Sequence, residues 1–143
     1  MLLESPVIEK TPLIAQSLGV STTTLGPPVG LQKLSLATPA TLPLGDYILR
    51  WSYAWHIASI TAAFMARIQL DNTGGALGSF ANLLDHLQIP TTAGVGTVVQ
   101  VAAGDIVFTG LSGAHAIDLD FGASDGTSTA YIFRARMILE GPY

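Results

Sequence analysis

After residue 45, apolar and polar positions alternate with a period of two through most of the chain. In residues 46–56, Tyr47, Leu49, Trp51, Tyr53 and Trp55 share one face, while Ile48, Arg50, Ser52, Ala54 and His56 share the other. In residues 64–71, Phe64, Ala66, Ile68 and Leu70 oppose Met65, Arg67, Gln69 and Asp71. Successive Cβ atoms of a strand point to opposite faces, so this alternation predicts strands rather than helices. Further strands are predicted over 96–101, 106–111, 114–121 and 130–140, the last with Tyr131, Phe133, Ala135, Met137 and Leu139 inward. Turn-forming clusters at 72–75, 103–105, 112–113 and 124–126 separate them. One stretch departs from the pattern. Phe80, Leu83, Leu84 and Leu87 recur at helical spacing, with Ser79 as an N-cap and Pro90 as a stop, which predicts a short helix across an open end.

Residues 1–45 hold six of the eight prolines, at Pro6, Pro12, Pro27, Pro28, Pro39 and Pro43. Proline fixes φ and removes a backbone donor, so this segment is neither a long helix nor a central strand. It is nevertheless rich in Leu, Ile and Val, which disordered linkers are not. The expectation is an extended N-terminal arm with one or two edge strands, over 16–23 and 31–38, followed by a β-sandwich domain over 46–143. Seven to eight short strands joined by Gly-rich turns predict an all-β fold, an antiparallel β-sandwich of jelly-roll-like form.

Composition sharpens the picture. The chain has 143 residues, enough for a single domain with a real core, and no cysteine for disulfides, thiolate metal sites or thiol chemistry. Charged residues make up 11% of it, against about 25% in an average soluble domain. The net charge of −4, with six scattered basic residues, gives no phosphate-binding footprint, so nucleic acid is not an expected partner. The best candidate for a membrane span, residues 51–66 between Arg50 and Arg67, has 16 residues where a spanning helix needs about 20 and contains Ser52, His56, Ser59 and Thr61, so no span is expected. Glu4, Pro6, Glu9 and Lys10 interrupt the opening stretch, which is unlike a secretory leader. Sparse charge on a chain this size therefore points to surface buried against partners, other copies of the chain first among them.

Candidate chemistry is thin. His56, His86 and His115 show no metal-ligand spacing, no nucleophile motif is present, and no catalytic residue or cofactor is assigned. Asp118, Asp120 and Asp125 lie close together around Gly122 and could supply oxygens to a hard cation. They lack the bidentate Glu of a calcium loop, so a solvated strand and turn is the expected reading and no metal is assigned. Residues 64–71 and 133–140 share the form F-x-A-R-[IM]-x-L-[DE], which places Arg67, Asp71, Arg136 and Glu140 on outer strand faces as ion-pair candidates. The aromatic row Tyr47, Trp51, Tyr53 and Trp55 reads as a core stripe, or alternatively as a carbohydrate-binding groove.

The proline-rich apolar arm, the G-D-Y-x-L-x-W-x-Y-x-W strand from Gly45, the two F-x-A-R strands and the Gly141-Pro142-Tyr143 ending together resemble small jelly-roll-like virion proteins of tailed phages, of the head decoration or cement type. The likeness is one of outline across the whole chain. It implies a non-enzymatic homotrimer, made in the host cytoplasm, on the capsid surface, with the major capsid or another virion protein as partner. Leu2, Leu3, Val7, Ile8, Leu13 and Ile14 of the arm are the expected contact residues. The alternative is a tail or fibre module, or a sugar-binding sandwich using the Tyr47–Trp55 row.

Overall fold

A computed structural model describes residues 12–90 and 99–143. Nine strands are formed, β1 (Leu13–Ser17), β2 (Ser21–Thr23), β3 (Leu31–Ala37), β4 (Gly45–Ile57), β5 (Phe64–Leu70), β6 (Leu84–Gln88), β7 (Gln100–Leu111), β8 (Ala116–Ala123) and β9 (Ala130–Glu140). They pair antiparallel in two sheets. The first runs β1-β9-β4-β7, with β2 also on β9, and the second runs β3-β8-β5-β6. The chain is an all-β sandwich. The first 45 residues contribute β1, β2 and β3, each hydrogen-bonded to a single neighbouring strand.

The core lies between the sheets and is built from the alternating faces that the pattern marks. Leu49, Tyr53, Trp55 and Ile57 of β4 meet Phe64, Ala66 and Ile68 of β5 and Ile117, Leu119 and Phe121 of β8. Trp55 stacks on Phe64 at 4.6 Å between centroids, and Phe64 on Phe121 at 6.3 Å. Burying side chains of this size stabilises the fold by about 1.5–3 kcal/mol each.

Three bulges decide which residues reach that core. Lys33 is the extra residue of β3 opposite β8, because Gln32 and Leu34 pair with the adjacent Asp120 and Leu119. β7 carries an extra residue where Gly45 and Tyr47 pair with Leu111 and Phe108. Gly110 sits there at φ +69° and its N–H donates to the Asp46 carboxylate. β9 carries the third, where Ser52 and Ala54 pair with Arg136 and Phe133, and Arg134 adopts φ +50°. An extra residue reverses the alternation on either side of it. Ala130 and Ile132 therefore face the core before the bulge, and Ala135, Met137 and Leu139 face it afterwards. Tyr131 and Phe133, expected inward, are half-buried instead.

Two further expectations are corrected. The segment expected to be helical holds strand β6, whose residues 84–88 pair with β5, and no helix occurs among the described residues. The hydrogen-bonding edge of β5 outweighs a helical spacing of only four leucine and phenylalanine positions. The turn expected at 103–105 is the middle of β7, held straight by pairing Ala103, Gly104 and Asp105 with Ser52, Trp51 and Arg50. Part of the strand expected at 96–101 lies outside the described residues.

Candidate binding face

The sandwich treats its two outer faces differently. β5 and β8 are buried on both sides, because segments 24–30 and 71–83 lie across the outside of the four-stranded sheet. The approach is close: a Cβ on Gly122 would stand 2.5 Å from the Leu25 carbonyl oxygen. The two segments also bond each other, Leu77 N–H donating to the Pro28 carbonyl at 2.8 Å.

A buried polar cluster pins them down. Arg67 Nε donates to Asp120 Oδ2 at 2.9 Å, and its Nη1 donates to the carbonyls of Gly75 at 2.9 Å and Pro28 at 3.2 Å. Gln69 Nε2 adds bonds to Asp120 Oδ2 and Asn72 Oδ1, both at 3.3 Å. Burial raises the Asp120 carboxyl above its ordinary range, with Arg67 pulling the other way. Arg67 thus bonds both covering segments and the sheet at once.

The two open seams between the sheets are closed by side chains. At the β1–β3 seam, Lys33 Nζ donates to the Gly19 carbonyl at 2.6 Å and to Ser21 Oγ at 2.9 Å, and burial lowers its pKa. At the β6–β7 seam, His86 sits among Tyr53, Trp55 and Phe64. Burial lowers its pKa, so the imidazole is neutral near pH 7. Tyr53 Oη–H donates to His86 Nδ1 at 2.5 Å, which leaves the single ring proton on Nε2 to donate to Gln88 Oε1 at 3.0 Å. Gln88 Nε2 then reaches Gln100 Oε1 on β7 at 2.8 Å. Spacing gave no hint of either closure, since each joins residues from separate strands.

Among the described residues, none lies across the outer face of the five-stranded sheet. Cross-strand register places Ile14, Ile138, Arg50 and Asp105 in one row. Glu140, Ile48 and Val107 form the row on one side, and Gln16, Arg136, Ser52 and Ala103 the row on the other. Ile14 is 51% exposed, Val107 66% and Val101, next along β7, 77%. A dent of about 430 Å³ opens over Ser52 and Ala103, bordered by Arg50, Asp105, Arg136 and Ile138. Arg50 pairs with Glu140 at 3.3 Å, in water, where such a pair is worth about 0–1 kcal/mol.

The sequence-derived candidates are scattered by the fold. Leu2, Leu3, Val7 and Ile8 lie outside the described residues. Leu13 packs against the core, whereas Ile14 stands on the outer face of the five-stranded sheet. Arg67 bonds Asp120 rather than Asp71, and it is buried rather than on a solvated face. Asp71 instead accepts from Ala116 N–H at 2.7 Å and from His115 Nδ1 at 2.6 Å. His115 also donates to the Ser112 carbonyl, so both ring nitrogens act as donors, and the Asp71 contact raises its pKa. Glu140 pairs with Arg50, and Arg136 borders the dent. Asp118 and Asp120 are buried under the covering segments, not in a solvated strand. Asp125 spends both oxygens on Thr127 and Ser128 of its own turn, which lowers its pKa. Among the described residues, no group of three His, Asp or Glu side chains could hold a metal ion. No helix among them is long and apolar enough to cross a membrane. Tyr47, Tyr53 and Trp55 are core residues, so the aromatic row is a core stripe at those three, while Trp51 is half-buried and lines the dent.

These features define a β-sandwich with one self-covered face and one face, open among the described residues, on which apolar and charged side chains are mixed. No family model matches the chain, and no curated protein is similar to it in sequence. Solved structures do share its fold. The globular domain of zebrafish complement 1qA protein is similar over 94% of this chain and 98% of its own, at 17% identity and a TM-score of 0.52. Dimeric latent PorU from Porphyromonas gingivalis matches 93% of this chain with 13% of its own, at 8% identity and a TM-score of 0.51. A structure of infectious bursal disease virus, Gt strain, matches 92% of this chain with 32% of its own, at 10% identity and a TM-score of 0.50.

Proposed function

We propose that this chain is a non-catalytic structural protein of a virion, a decoration or cement protein that works by binding on a phage head. The observation that carries the reading is the outer face of the five-stranded sheet, which the described residues leave uncovered and which sets Ile14, Ile48, Val101, Val107 and Ile138 among Arg50, Asp105, Arg136 and Glu140. Exposed apolar side chains grouped on one face and bordered by polar ones mark an interaction site. The buried polar groups support the same reading, because Arg67, Asp120, Lys33 and His86 are each engaged in holding segments of the fold together. The occurrence of this fold in a virus structure agrees with it.

The partners in this reading are other copies of the chain, as a homotrimer, and the major capsid protein. The first eleven residues extend the contact to the shell. The protein is made in the host cytoplasm and ends on the capsid surface. Antibody raised against it should label banded particles of the phage that encodes it, and a chain lacking residues 1–11 should fold but bind those particles less. Particles that carry none of the protein would end the reading.

A further inference from the structure

The face that β6 turns to the core carries two polar side chains out of three. Leu84, His86 and Gln88 stand opposite Ile68, Ala66 and Phe64, the core residues of β5. β6 is five residues long and lies at the edge of its sheet, hydrogen-bonded through its backbone to β5 alone. A short edge strand with one inward leucine has little apolar burial to hold it, and such elements open at free energies well below that of global unfolding. Among the described residues, the side-chain bonds that tie it to the five-stranded sheet are those of the seam, His86 to Tyr53 and Gln88 to Gln100.

We propose that this seam is an acid-opened latch, in which a proton taken up by His86 releases β6 from the five-stranded sheet and bares the aromatic end of the core at Tyr53, Trp55 and Phe64. Three observations carry it. First, the bond pattern suits the neutral imidazole alone. Tyr53 is 1% exposed, burial keeps its hydroxyl protonated, and His86 Nδ1 is the one acceptor of that hydroxyl among the described residues. A proton on Nδ1 sets two donors face to face at 2.5 Å and leaves the buried hydroxyl without an acceptor. Second, no carboxylate stands ready to receive an imidazolium. Asp85, next to His86 on β6, lies on the opposite side of the strand and bonds Asn82. From β4 and β5 the ring meets Tyr53, Trp55 and Phe64, at 5.9, 5.2 and 5.5 Å between centroids. From β7 it is approached by the neutral Gln100, through Gln88. Tyr53 is the one titratable group among these, and residues 91–98, which follow in the chain, contain no ionisable side chain. A buried charge with no partner is costly, so the proton favours the state in which the ring reaches water. Third, the two bonds across the seam depend on the same ring. His86 Nε2–H holds Gln88 Oε1, and Gln88 Nε2 in turn reaches Gln100. Withdrawal of the ring therefore releases both together.

The test is hydrogen–deuterium exchange of the full chain at pH 7.5 and pH 5.0, with rates corrected for the intrinsic pH dependence of exchange. The opening equilibrium of β6 should rise by up to about tenfold for each pH unit below about 6.5, because the exposed imidazole binds the proton that the closed one refuses. Amides of residues 84–88 should lose protection at pH 5.0, while those of residues 117–121 in β8 keep theirs. His86→Gln and His86→Phe, two replacements that cannot titrate, should each show the same β6 protection at both pH values. Acrylamide quenching of tryptophan emission should rise at pH 5.0 in the wild type and in neither variant. Equal loss of protection in β6 and β8 would mean global unfolding and overturns the proposal. So does a β6 that stays protected at pH 5.0, or a pH dependence that persists in the replacements.

Discussion

Arg67 on β5 and Asp120 on β8 face each other at 2.9 Å on the outside of the four-stranded sheet, yet each side chain is only 7% exposed. The alternation along both strands places them outward. What removes them from water is the chain itself, folded back over that face as segments 24–30 and 71–83. The guanidinium bonds Gly75 and Pro28 of those segments, so the ion pair is also the fastening of the cover.

Removing one partner should therefore cost more than an ordinary outer-face change. Arg67→Met leaves a buried carboxylate uncompensated and frees two carbonyls, with an expected loss of about 3–5 kcal/mol. The Arg67→Met/Asp120→Asn pair should lose less than the sum of the single changes. Urea unfolding of the four proteins in the cycle measures this coupling, and additive losses would refute it.

Stability should fall as pH drops below about 6.5, the ordinary histidine value. Burial holds the folded pKa of His86 below that value. The unfolded chain thus binds a proton first, and folding loses ground until pH passes the lower, folded pKa. His115 acts in the opposite direction, since Asp71 raises its pKa, but that pair is partly solvated and screened. Melting temperatures from pH 8 to pH 5 should fall for the wild type and fall less for His86→Gln. Equal slopes for the two would show that His86 does not set the trend.

Two glycines should respond differently to alanine. Gly110 holds φ +69° with no heavy atom within 4 Å of a built Cβ, so Gly110→Ala carries only backbone strain, about 1–2 kcal/mol. At Gly122 the new methyl would meet the Leu25 carbonyl oxygen at 2.5 Å. The backbone of the covering segment must then move, and loss of the cover should show as proteolysis within 71–83 as well as in the melting temperature. Gly110→Ala should show no such cleavage.

Tryptophan emission reports the position of the aromatic row. Trp55 is 1% exposed and stacked on Phe64, so its emission should lie to the blue and be indifferent to added oligosaccharides. Phe64→Ala should shift it to the red and cost about 3–5 kcal/mol. Quenching of the wild type by a glycan would contradict a core location.

The alternation of residues 46–56 and 64–71 determined by itself that the chain is an all-β sandwich, and which faces of β4 and β5 form its core. That information is local, because side-chain direction in a strand repeats every two residues wherever the strand is placed. Tertiary structure alone decided the rest. Bulges at Lys33 and Arg134 reverse the alternation at points set by the partner strand, so the inward side of Tyr131 and Phe133 was not legible from their spacing. Leu84 and Leu87 have a helical spacing, and only the free edge of β5 makes them a strand. The outward residues Arg67, Gln69, Asp118 and Asp120 read as solvated until distant segments cover them, and His86 meets Gln100 only because β6 and β7 close one seam. Pairings between residues far apart in the chain depend on where the backbone places them, and no short-range pattern encodes that.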